Sequence, residues 1–134
     1  MASGTMYSDL IGVPFLDRGR DPQKGLDCYG LAIELFRRHG IDLPPYWVSC
    51  VDASLINKTI AEEKENWQLV GIEVVPSLAV VRFNSGYLNH VLVNIGNGKF
   101  IHTGRKIGVR IERFDDSYWR RRYEGFYVPK EVKF

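Results

Sequence analysis

Cysteine is scarce in this chain: there are two, Cys28 and Cys50. They could form at most one bridge and their spacing does not demand it, so a disulfide-dense secreted scaffold is excluded. Long apolar runs are missing as well. No stretch approaches the roughly 20 residues that span a bilayer, and no basic segment followed by an apolar one marks a signal peptide, so synthesis in the cytoplasm is the expectation. Charge of one sign is not in excess. Lys and Arg number 18 against 16 Asp and Glu, and a formal net charge of +2 gives no global pull toward nucleic acid or anionic membrane. Internal repeats and low-complexity segments are lacking too.

What is present is an ordinary globular composition. With 134 residues, 45% hydrophobic and 25% charged, the chain fits one domain that can bury a core without disulfides or structural metal. Met1 to Met6 reads as a small polar tail, with Met6 a candidate natural first residue, and the domain is expected over 7–134. No cofactor is expected.

Helical signals come first. Asp27 stands at an N-cap position, Leu31, Leu35 and their neighbours form an apolar stripe, and Arg37, Arg38 and Gly40 mark a C-terminus. The spacing predicts a helix over 28–39, with His39 as a partner of the helix dipole. Leu43-Pro44-Pro45 forbids continuation, and a second helix is expected over 52–67, capped by Asp52. Strands follow at 69–75, 78–83, 90–95, 99–103, 109–111 and 124–128, with one helical turn at 115–120. Gly96-Asn97-Gly98 is a hairpin turn. Helices first and an antiparallel sheet second make an α+β domain.

Chemistry concentrates at two places. Cys28 opens the first helix. The reactive form of cysteine is the thiolate. A helix N-terminus favours that anion, and its free N–H groups can hold a developing oxyanion. A buried structural cysteine is the competing reading. The second place is the hairpin. A three-residue loop at 96–98 sets Ile95 opposite Lys99 and Leu92 opposite His102. His90 and His102 then share a sheet face with Leu92, Asn94 and Phe100, while Val91, Val93, Ile95 and Ile101 take the other. A two-residue loop would break this parity. A Cys–His pair needs a third group to orient the imidazole, and His102 can supply it. Zinc would compete for Cys28, His90 and His102, but no second Cys or His stands at a metal-ligand spacing. Arg120-Arg121-Arg122 reads as a solvated edge, and the aromatics around it as core and rim.

Three stretches carry a family resemblance. They are Ile11 to Pro22 with Gly25-Leu26-Asp27-Cys28-Tyr29-Gly30-Leu31, the hairpin Asn89-His90-Val91 to Ile101-His102, and Trp119 to Pro129. Together they resemble the NlpC/P60 family of papain-like cysteine peptidases, most closely the small versions in phage and prophage tail-assembly proteins. The resemblance implies N-terminal helices packed on an antiparallel, barrel-like sheet. It implies Cys28 as nucleophile, His90 as base and His102 as orienting residue, acting on murein stem peptides. A phage tail that delivers the domain to the cell envelope, and tail proteins as partners, go with it. The sequence departs from the family pattern twice. Phe15 stands where the family often has a tyrosine that assists the oxyanion, which leaves Tyr7 and Tyr29, with Asp27, as oxyanion or substrate-binding candidates. Pro76-Ser77-Leu78 stands where Pro-Gly-Asp is usual. Two other functions stay open: a structural tail module with unused catalytic residues, and an amidase or acyltransferase on another small acyl substrate.

Overall fold

Asp27 starts the first helix, α1 (Cys28–Arg38), as a side-chain cap that accepts from the Gly30 N–H at 2.7 Å. The far end closes on a left-handed Gly40, φ 78°, with Ile41 N–H donating to Phe36 O and Gly40 N–H to Arg37 O. That pair of bonds is a Schellman motif. Positive charge at this end is carried by Arg37 and Arg38, which bond to Glu34, and Arg38 also pairs with Asp9. His39 stands at the C-cap of the helix, with its backbone N–H on Phe36 O. These features belong to a computed structural model that describes residues 7–49, 51–83 and 86–132. Met1 to Met6 and Cys50, with the bridge its count allowed, lie outside the described residues.

A short hairpin, β1 (Arg20–Asp21) and β2 (Gly25–Leu26), precedes α1 and wraps back over its start. The wrap is close: a Cβ on Gly30 would lie 2.0 Å from the carbonyl oxygen of Gly19. Gly30→Ala must therefore displace backbone, and we expect it to cost roughly 2–3 kcal/mol in a denaturant melt.

The second helix, α2 (Ala53–Glu63), is capped by Asp52 as expected but stops early. A 3₁₀ turn at Lys64–Asn66 follows, and Trp67 already belongs to β3 (Trp67–Val70). Pairing of Trp67 with Pro129 recruits it to the sheet. The strand expected to reach Val75 ends at Val70, where a turn closes with Val74 N–H on Gly71 O.

The remaining strands are β4 (Ser77–Val81), β5 (His90–Gly96), β6 (Lys99–His102), β7 (Arg110–Arg113) and β8 (Tyr123–Pro129). They form one antiparallel sheet in the order β3-β8-β4-β5-β6-β7, open rather than closed into a barrel, with β3 and β7 at its edges. Residues 115–120 form hydrogen-bonded turns. Alternation divides the sheet as the sequence predicts. Leu78, Val91, Val93, Ile95 and Ile101 pack with Leu31, Leu35 and Phe36 of α1. Ala79, Val81, Leu92 and Phe100 pack on the other face with Phe114, Trp119 and Phe126.

The β5–β6 turn differs from expectation. Gly96 pairs with Lys99, so the loop is the two residues Asn97 and Gly98, both with positive φ (56° and 74°), as a type I′ turn requires. That loop alone would have put the two histidines on opposite faces. A bulge between Asn94 and Gly96 adds one residue and restores the parity, so Val93 pairs with Ile101. Asn94 holds the bulge. Its Oδ1 accepts from Gly96 N–H at 3.0 Å, and its Nδ2 donates to Ile72 O at 2.8 Å.

Candidate active site

Cys28 is the first residue of α1 and is 4% exposed. The residue before it is fully buried: Asp27 accepts from Arg18 N–H at 2.9 Å, Gly30 N–H at 2.7 Å and the Arg20 guanidinium at 2.7 Å. Arg20 also donates to Tyr46 O and lies over the ring of Trp47, 5.1 Å from its centroid. These bonds fasten the 18–20 loop to the helix start and fix the direction in which Cys28 emerges. As first-turn residues, Cys28 and Tyr29 direct their N–H groups toward the helix N-terminus, where the sulfur also lies.

The imidazoles come from adjacent strands. His90 opens β5 and His102 ends β6, and His90 Nε2 lies 3.0 Å from His102 Nδ1. On its other side, His102 Nε2 lies 2.6 Å from Glu112 Oε2, on edge strand β7. Glu112 also accepts from Trp119 Nε1 at 3.1 Å and Arg110 Nε at 3.1 Å. The Phe83 ring lies tilted against His90 at a 4.8 Å centroid distance, and Phe100 and Trp119 flank His102 at 5.1 Å each.

Burial in this aromatic box, and then the charge His90 can carry, hold the His102 pKa down at about 4, although Glu112 pulls it upward. Burial alone would raise the Glu112 pKa, but the bonds from His102 and Trp119 outweigh it and leave the carboxyl lowered. A histidine takes up its proton near 6.5 in the unfolded chain. The fold thus favours neutral His102, and its contribution to stability is complete above that pH. It declines as pH falls toward about 4, by up to ~3 kcal/mol. Urea midpoints between pH 7 and 4.5 should fall accordingly, and His102→Gln should flatten most of that slope.

Two cavities meet at Cys28. One, of about 320 Å³, is bordered by Cys28, His90, Phe15, Phe83, Asn89 and Arg105. The other, of about 390 Å³, is bordered by Cys28, Tyr29, Tyr46, Ile56 of α2, Glu63 and Trp67. A thiol at the junction of two concavities can address a bond whose two halves occupy one each.

The sequence model of the NlpC/P60 family matches residues 12–128, from the loop before α1 to the end of β8. The chain belongs to the NlpC/P60 family. It is 29% identical over 119 residues to a protein of Escherichia coli strain K12 named murein DD-endopeptidase MepS/murein LD-carboxypeptidase, a match covering 87% of this chain and 56% of that one. It is 30% identical over 135 residues to the gamma-DL-glutamyl hydrolase of Bacillus subtilis strain 168, covering 90% of this chain and 29% of the relative. The chain thus spans little more than half the length of the first of these relatives and less of the second. An NlpC/P60 family protein from Bacillus cereus superposes with a TM-score of 0.65 at 22% identity, over 94% of this chain and 39% of that one. At that identity the likeness concerns the fold.

Within this NlpC/P60 domain the candidates separate. Cys28 and His90 border one cavity, and His90 is bonded to His102. Phe15 borders the same cavity and contributes a ring without a hydroxyl. Tyr29 borders the other cavity, but its hydroxyl donates to Pro44 O at 2.5 Å, and burial raises its pKa far above the ordinary value, so it stays protonated and engaged. Tyr7 is half-buried, stands before the 3₁₀ turn at Ser8–Leu10 and packs on the core. Neither cavity includes Tyr7 or Asp27 among its bordering residues. Sequence reasoning did not find Glu112, Trp119 or Arg20 as parts of the site. Parity could have found Glu112, since it stands two residues from the position opposite His102.

Proposed function

We propose that this domain is a cysteine hydrolase that cleaves peptide-type amide bonds in the stem peptides of bacterial murein, with Cys28 as nucleophile, His90 as base and His102 as orienting residue. The observation that carries the reading is the capped helix start that presents Cys28 to the cavity it shares with His90, whose Nε2 is bonded to His102. The names of the relatives, a murein endopeptidase and a gamma-glutamyl hydrolase, support the substrate class.

The reaction is acyl transfer to water. His90 takes the proton of the Cys28 thiol, and the thiolate adds to the amide carbonyl. N–H groups at the start of α1 donate to the tetrahedral oxyanion, with no tyrosine hydroxyl at Phe15 to assist them. As the C–N bond breaks, His90 returns its proton to the leaving amine. Water, deprotonated by His90, then opens the thioester, releasing a carboxylate and restoring the thiol. The test is mass spectrometry of muropeptides after incubation with the protein, with Cys28→Ala as control. New fragments that persist with the alanine variant would overturn the assignment.

The stretches Ile11 to Pro22 and Gly25 to Leu31, with the His90–His102 hairpin and Trp119 to Pro129, resemble the tail-assembly members of the family and support a finer reading. The domain is made in the cytoplasm and brought to the cell envelope as part of a phage or prophage tail, where tail proteins are its partners. Immunodetection in purified phage particles tests this, and absence from them would reject it.

A further inference from the structure

We propose that Glu112 is a positioning residue that sets the proton direction through both histidines, so that His90 presents a basic Nδ1 to the thiol. The inference rests on the reading of Cys28, His90 and His102 given above and extends it to a fourth side chain.

The Glu112 carboxylate can only accept, and it sits 2.6 Å from His102 Nε2, so that nitrogen carries the proton. In a neutral ring Nδ1 is then an acceptor. His102 Nδ1 lies 3.0 Å from His90 Nε2, which must therefore be the donor. His90 is left with its lone pair on Nδ1, the nitrogen a general base needs. The carboxylate is itself held by Trp119 Nε1 and Arg110 Nε, so its orientation does not depend on His102. When His90 becomes cationic, the negative charge of Glu112 offsets it through the neutral ring between them. Among the described residues, the charged and titratable groups around the set include Cys28 from α1, Arg105 on the shared cavity, Arg110 from β7, and Tyr118 beside Trp119.

Glu112→Gln is the diagnostic change. If its amide oxygen faces His102, its NH₂ meets the Trp119 N–H, donor against donor. If the amide turns over, its NH₂ faces His102 Nε2 and reverses both tautomers, which puts a proton on His90 Nδ1. Either way the counter-charge is gone. We expect kcat on muropeptides to fall roughly 10- to 100-fold with KM little changed, the scale seen when the partner that orients a functional imidazole is removed. We also expect the alkaline limb of the pH profile for Cys28 alkylation by iodoacetamide to move down by about one pH unit. Glu112→Asp keeps the charge and should fall between wild type and the glutamine variant in both readouts. It also serves as the test if Glu112→Gln does not fold.

The alkylation profile needs no substrate, so it reads the Glu112 link even if muropeptides prove not to be cleaved. An unmoved alkaline limb in a folded Glu112→Gln protein, or a glutamate-to-aspartate change as damaging as the glutamine one, would overturn the proposal.

Discussion

Cys28→Ala is expected to lower amide hydrolysis on the order of 10⁴-fold or more while leaving the thermal midpoint within a few degrees of wild type. The two halves of this expectation have separate causes. Removal of the sulfur abolishes the covalent route, and what remains is binding and oxyanion stabilisation without a nucleophile. The fold should tolerate the change because the side chain is small and borders two cavities, so little packing is lost. Alanine is also favourable in a helix. Steady-state release of amine from muropeptides, read beside a thermal melt, checks both. Retained turnover in a folded variant would exclude Cys28 as nucleophile.

Asp27→Ala should be the most damaging change next to the site, through stability first. Asp27 is fully buried and its carboxylate accepts from the Arg20 guanidinium and from the N–H groups of Arg18 and Gly30. Truncation leaves the mostly buried Arg20 without its counter-charge, removes the helix cap and orphans two backbone donors. Loss of one partner of a buried pair costs about 3–5 kcal/mol. For a chain of this size that should lower the thermal midpoint by roughly 10 °C or more. Asp27→Asn, which can still accept from Gly30 N–H, should lose less. Activity should fall with Asp27→Ala even below the melting range, since the 18–20 loop no longer fixes the helix start that carries Cys28. If Asp27→Ala melts like wild type, the cap and ion pair do not hold this loop.

The resemblance and the residues alone reached much of this arrangement, by routes of unequal strength. The start and end of α1 were legible because caps are local. Asp27, Gly30 and Gly40 act on neighbours within a few positions, and the expected helix differs from the observed one by its last residue, His39. The extent of α2 was not legible, because Trp67 pairs with Pro129, far along the chain. The shared face of His90 and His102 was correctly expected from a three-residue loop, but the chain achieves it with a two-residue turn and a bulge. An extra residue in either place has the same effect on parity, so alternation alone could not tell them apart.

Glu112 was hidden for another reason. The segment from Thr103 to Val109 separates β6 from β7, and no local signal states that Phe100 will face Glu112. Without that pairing, a glutamate among exposed arginines reads as surface. For the hydroxyl missing at Phe15 the sequence offers Tyr7 and Tyr29, and only packing assigns the Tyr29 proton to Pro44.

The amino-acid order by itself determined a capped helix beginning at a cysteine and strands whose two faces differ in polarity, since both depend on interactions between residues a few positions apart. Tertiary structure alone decided that the sulfur meets two cavities, that a bulge aligns the imidazoles, and that an edge-strand carboxylate bonds to His102. Each of these depends on contacts between distant segments, whose register is set when loops close and faces pack together.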